Sequence, residues 1–173
     1  MAEVVGVPAD PLASSRLSRA LVAVLRVGLA VLWVGGASWK DPPEFGALRH
    51  FTSFAVSDPV FGPWAWFVEH VVLPNFTLFG WLTLLVEASL GAFLLIGLAT
   101  RLWALVGIGQ TVAIMLSTLN APNEWVWSYL LMLLTHVAVF ATAAGRFAGL
   151  DGVLRPRWQR STGRLARLLV RVS

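Results

Sequence analysis

Four side chains able to do chemistry stand inside apolar runs: Arg26, Glu87, Gln110 and His136. Glu87 is the most isolated, inside the apolar run TLLVEASLGAFLLIGLATR with no other charge within ten residues on either side. A carboxyl group in hydrocarbon is costly unless it is paired or faces a cavity. Together the four supply a cation, an acid, an amide and an imidazole, which can hydrogen-bond the polar head of an apolar ligand and hold or pass protons. A quinone fits such a set, because its two carbonyls need hydrogen bonds and its reduction needs proton donors. Glu87 and His136 are the candidate catalytic groups; Arg26, Gln110, Trp33 and Trp81 are the candidate ligand-binding groups. Arg26 is expected to pair with Glu87, with Trp33 and Trp81 as aromatic walls. The competing reading is a structural cluster in which an Arg26–Glu87 ion pair and two polar side chains fix helix register.

These residues need helices to carry them. Apolar runs over about 20–38, 75–100, 101–119 and 124–144 are each long enough to cross a hydrocarbon core of ~30 Å at ~1.5 Å per residue. By counting along each run, one strongly polar side chain falls at a similar depth in every span. Residues 39–74 differ, with five prolines, three tryptophans and spacing that suits one or two short amphipathic helices at the membrane surface. The expected fold class is all-α, an integral membrane four-helix bundle with an amphipathic outer loop. Residues 1–19 form an N-terminal segment, 20–151 the membrane domain and 152–173 a basic tail.

Composition agrees. Of 173 residues 57% are apolar and 13% charged, and the mean hydropathy is +0.74. There is no cysteine, so this chain carries no disulfide, thiolate metal site or thiol redox chemistry. No Cys/His metal spacing and no nucleotide-binding loop is present, and no metal is expected. The net charge is +4, but the basic residues flank apolar spans, which points to anionic lipid headgroups and not to nucleic acid.

Arginine placement sets the expected orientation. With both termini cytoplasmic, ten arginines fall inside and only Lys40 and Arg49 outside. The first apolar run is expected to be a retained span and not a cleaved signal. Arginines at 157, 160, 164, 167 and 171, with Leu165, Leu168, Leu169 and Val172 between them, predict a basic amphipathic helix on the inner leaflet. Lys40 and Asp41 read as an ordinary interface pair.

Three stretches carry a family resemblance: Arg26 followed by VGLAVLWVGGASWKDP, then ExxxGxxLLxGLxTR from Glu87 to Arg101, then GRFAGLD from Gly145 to Asp151. In that order the chain resembles DoxX-like proteins, including the DoxD type of thiosulfate:quinone oxidoreductase small subunit, over roughly residues 20 to 152. The resemblance implies a four-helix bacterial inner-membrane protein that serves as one component of an oxidoreductase assembly, with other subunits as partners. The long tryptophan-rich loop and the basic tail depart from a simple four-span member. A quinone-binding subunit is therefore the first functional expectation. A non-catalytic scaffold docking proteins through the outer loop and tail is the alternative, and a proton-coupled transporter is weaker because no inverted halves are visible.

Overall fold

The computed structural model describes residues 15–173; of the N-terminal segment 1–19, residues 1–14 fall outside the described residues. Eight α-helices are present and no strand occurs among the described residues. Four are long: α1 (Arg16–Ser38), α4 (Phe76–Ile96), α5 (Thr100–Thr118) and α6 (Val126–Thr142). The others are α2 (Gly46–Ser57), α3 (Gly62–Phe67), α7 (Leu150–Gln159) and α8 (Arg164–Val172). The long helices pack as a ring, α1 on α4, α4 on α5, α5 on α6 and α6 back on α1. Leu29, Ala30, Trp33, Leu90, Leu94, Ala104 and Val139 fill its centre.

Three helices are long and apolar enough to cross a membrane: Arg16–Ser38, Gly62–Ile96 and Thr100–Thr118. The 17-residue helix Val126–Thr142 is shorter. The chain outside the spans is more ordered than a surface loop. α2 and α3 fall where one or two short amphipathic helices are expected, but α3 does not stop before α4. A π-helical turn (Val68–Val72) and a 3-10 turn (Leu73–Asn75) join them, so helical backbone continues from Gly62 to Ile96. Pro74 has no N–H to give the ladder, and such changes of helical pitch are how a chain passes a proline without breaking. Phe45, Ala55, Val68, Val72 and Phe76 form a second core that locks α2 and this segment together. Phe45 begins α2 in the left-handed region at φ 50° and is fully buried. Its ring lies against Gly80, where an added Cβ would overlap it.

The arginine-rich end is held by backbone capping. α4 ends at Gly97, whose φ of +68° suits a residue without Cβ, and Ala99 follows at +49°. This turn leaves the first N–H groups of α5 without helical partners. Asp151, fully buried, supplies them: Oδ1 accepts from the Ala99 N–H at 2.8 Å and Oδ2 from the Thr100 N–H at 2.9 Å. The Asp151 N–H in turn donates to Gly97 O at 2.9 Å. Gly145 packs so closely on Thr100 and Asp151 that a side chain there would overlap both.

The tail differs from the single helix expected. It breaks at Ser161–Gly163 into α7 and α8, which pack on each other, because glycine and small polar residues favour a turn over continued helix. Arg155 turns inward to Val170 O and Ser173 O, and burial pushes its pKa below the usual arginine value, with Arg101 adding to the effect. Arg157, Arg160, Arg164, Arg167 and Arg171 remain exposed, beside exposed Leu165 and Leu168.

Candidate functional site

A cavity of about 460 Å³ lies where α2, α3 and the π turn cover α4, α5 and α6. Leu48, Phe51 and Thr52 of α2 and Trp64, Phe67 and Val68 line it from above. Phe76, Phe79, Leu82 and Val86 of α4 and Ala113 and Ile114 of α5 form its walls. The size is that of a small-molecule site, and the mainly apolar, aromatic lining with a few polar groups is the usual make-up of one.

The first polar group belongs to the end nearer the middle of the bundle. Lys40, just past the end of α1, turns back along that helix, donating from Nζ to Gly36 O at 2.6 Å and to Glu87 Oε2 at 2.5 Å. Both side chains are nearly sealed from solvent, at 4% and 3% exposure. Gln110 Nε2 donates to the other carboxylate oxygen, Oε1, at 3.4 Å. The pair thus satisfies the conditions that make a buried ion pair tolerable, close contact plus further hydrogen bonds. Lys40 Nζ also stands 4.3 Å from the centroid of the Trp39 ring. After these bonds Lys40 keeps one N–H and Gln110 one more.

The second polar group lies about eight residues along α5. Tyr129 Oη donates to Glu124 Oε2 at 2.5 Å and stands 2.8 Å from Thr118 Oγ1. Thr118 Oγ1 is also 2.9 Å from Ile114 O, as donor. Nearby, Trp64 Nε1 donates to Ser117 Oγ at 3.0 Å, which ties the helical cover to α5.

The expected cluster therefore divides. Glu87 and Gln110 come together at the cavity, but the Arg26–Glu87 pair does not form. Arg26 lies at the arginine-rich end, donating to Leu94 O, to Leu95 O at 2.7 Å and to Ala148 O at 3.1 Å. It caps the carbonyl end of α4, where a cation is favoured by the helix dipole. Asp41 is exposed and Lys40 is 6% exposed, so the interface pair expected there is also absent.

His136 and Trp33 meet each other and not the cavity. Trp33 Nε1 donates to His136 Nε2 at 3.0 Å, and His136 Nδ1 is 2.7 Å from Met132 O. An indole can only donate, so Nε2 accepts, and Nδ1 must carry the proton given to Met132 O. Both ring nitrogens are occupied in a neutral imidazole, buried beside Gly107. Trp81 packs edge-on to Phe45, is 49% exposed and does not line the cavity.

The residues that sequence reasoning missed are Lys40, Glu124, Tyr129, Thr118 and Trp64. Lys40 had a signal: it is the one lysine in a chain that otherwise uses arginine twelve times. A compact ammonium can fill a narrow buried position that a planar guanidinium fork fits poorly. Tyr129 is likewise the sole tyrosine.

The family model of DoxD, described as the TQO small subunit DoxD, matches residues 51–171, well over half of the sequence. The chain belongs to the DoxD family. It is a membrane protein, and the family's description is that of a small subunit. No curated protein and no solved structure matches it. The matched region begins within α2 and takes in most of the cavity lining, whereas Lys40 precedes it. Within this DoxD chain, the stretch from Gly97 to Arg101 and the stretch from Gly145 to Asp151 are the two halves of the capping contact at the arginine-rich end.

Proposed function

We propose that this DoxD chain is the membrane subunit of a quinone-linked oxidoreductase, and that its cavity holds the head of a quinone or similar lipid-soluble ring. One observation carries the reading: a buried, hydrogen-bonded Lys40–Glu87 pair, with Gln110, faces an apolar aromatic cavity of about 460 Å³. A pair needed only to hold helices together has no reason to stand at the wall of a cavity. Ionisable groups at such depth are functional by default.

The remaining N–H groups of Lys40 and Gln110 donate to a ring carbonyl oxygen. Glu87 holds the Lys40 ammonium in place, while Phe51, Trp64, Phe67 and Phe79 cover the ring and exclude water. A bound quinone would supply the two-electron, two-proton acceptor chemistry that this cysteine-free chain lacks, and a partner subunit would bring the electrons. In this reading α6 is the fourth span, the membrane is a bacterial cytoplasmic membrane and the arginine-rich end faces the cytoplasm. The exposed arginines and leucines of α7 and α8 then lie against anionic lipid. The scaffold alternative is less favoured, because α2 and α3 are built into a cavity cover and do not form a free docking arm.

The test is organic extraction of gently purified protein followed by mass spectrometry. Wild type is expected to yield quinone near stoichiometrically, and the charge-neutral double variant Lys40→Met/Glu87→Gln to yield little. A wild-type preparation that carries only phospholipid sinks the proposal.

A further inference from the structure

The two polar groups of the cavity are not alike in what they offer. At the second one every donor hydrogen is used within the protein. Tyr129 gives its hydrogen to Glu124, Thr118 to Ile114 O or Tyr129, Ser117 to Ala113 O, and Trp64 to Ser117. Glu124 Oε1 accepts no hydrogen bond from the described residues, and Glu124 lines the cavity. This end presents an acceptor only. The Lys40–Gln110 end retains two N–H donors.

Their separation also has meaning. Gln110 and Thr118 are eight residues apart on α5, an axial offset of about 12 Å. A ring with para oxygens spans roughly 5 Å between those oxygens, given C=O lengths of ~1.2 Å. With a hydrogen bond of ~2.8 Å at each end it bridges partners about 11 Å apart. The offset between these two α5 residues is on the scale of that reach, and Glu124 joins the Thr118 end through Tyr129.

We propose, resting on the reading above, that the cavity discriminates redox forms: it holds a para-dihydroxy ring more tightly than the corresponding dione, through a hydroxyl that donates to Glu124 positioned by Tyr129. At the other end the second hydroxyl oxygen accepts from Lys40 or Gln110, as a carbonyl also can. At the Glu124 end the two forms differ in sign, because a carbonyl oxygen there meets a carboxylate with no hydrogen between them. A charge-assisted bond is replaced by lone-pair repulsion.

The experiment is anaerobic titration of the full chain in nanodiscs with menadione and, separately, its quinol, read by quenching of tryptophan fluorescence. Wild type is expected to bind the quinol about tenfold more tightly, the scale of one charge-assisted hydrogen bond. Glu124→Gln, whose amide can donate to a carbonyl, is expected to bring the ratio to near one, mainly by tighter binding of menadione. Tyr129→Phe frees Glu124 to move and is expected to lower the ratio in part, which keeps the test open if one variant folds poorly. Equal binding of both forms by wild type, or an unchanged ratio in both variants, overturns the proposal while leaving a quinone site in place. Binding of neither form by wild type overturns the site reading itself.

Discussion

Lys40 and Glu87, 47 positions apart, form a 2.5 Å ion pair that closes the gap between the end of α1 and the middle of α4. Lys40 reaches Glu87 by folding back past Gly36, so the acid is neutralised from the tryptophan-rich end of the bundle and not from the arginine-rich end.

Removing one partner should cost far more than removing both. Lys40→Met leaves a buried carboxylate without its cation, a change that costs on the order of 3–5 kcal/mol in comparable pairs. The double variant Lys40→Met/Glu87→Gln should recover much of that loss. Thermal unfolding in detergent checks this, and the coupling comes from the double-mutant cycle. Additive losses in the two single variants would mean that the pair does not act as a unit.

Asp151→Ala should loosen the start of α5. It strips the acceptor from the Ala99 and Thr100 N–H groups, and a lost cap costs about 1–2 kcal/mol. Hydrogen exchange at those two amides should speed up before the rest of α5 is affected. Asp151→Asn, which keeps one acceptor oxygen, should protect one amide better than the other.

Trp33→Phe should lower stability by about 1–3 kcal/mol, because it leaves His136 Nε2 buried with no donor. Quinone recovered on extraction should not change, since neither residue lines the cavity. A loss of ligand at unchanged melting temperature would return His136 to the site.

Gly107→Ala should destabilise more than an ordinary alanine substitution in a helix, by about 1–3 kcal/mol. A Cβ there would overlap the His136 ring, which is held on both nitrogens and cannot easily yield. Gly109→Ala, with open space around it, is the control and should be neutral or slightly stabilising.

Arg26→Gln should weaken the packing of α1 on the end of α4 and lower the melting temperature, with menadiol affinity unchanged. A selective loss of menadiol binding at full stability would contradict its assignment as a capping residue.

How much of this was legible in the sequence depends on whether the cause is local. Hydropathy and length located α1, α4, α5 and α6 to within a few residues, because the membrane's demand on each run is met within that run. The isolation of Glu87 marked it as buried and in need of a partner for the same reason. The order of Arg26, the GLATR turn at Gly97 and GRFAGLD carried the resemblance.

Partner choice was not legible. Counting residues gives a depth along each span, but it does not give the rotation of one helix against another or the shift between them. Helical backbone continues outward from α4 to Gly62, so Glu87 stands level with Gly36 near the end of α1, beyond reach of Arg26. Only the packing of α1 on α4 decides that Lys40 can fold back to the acid. Likewise nothing in the sequence joins Tyr129 to Glu124 and Thr118, and they become one end of a cavity only because α2 and α3 close over α4, α5 and α6. Local hydrophobicity determined which segments form the bundle; non-local packing, which brings together charges dozens of residues apart, decided where its site lies.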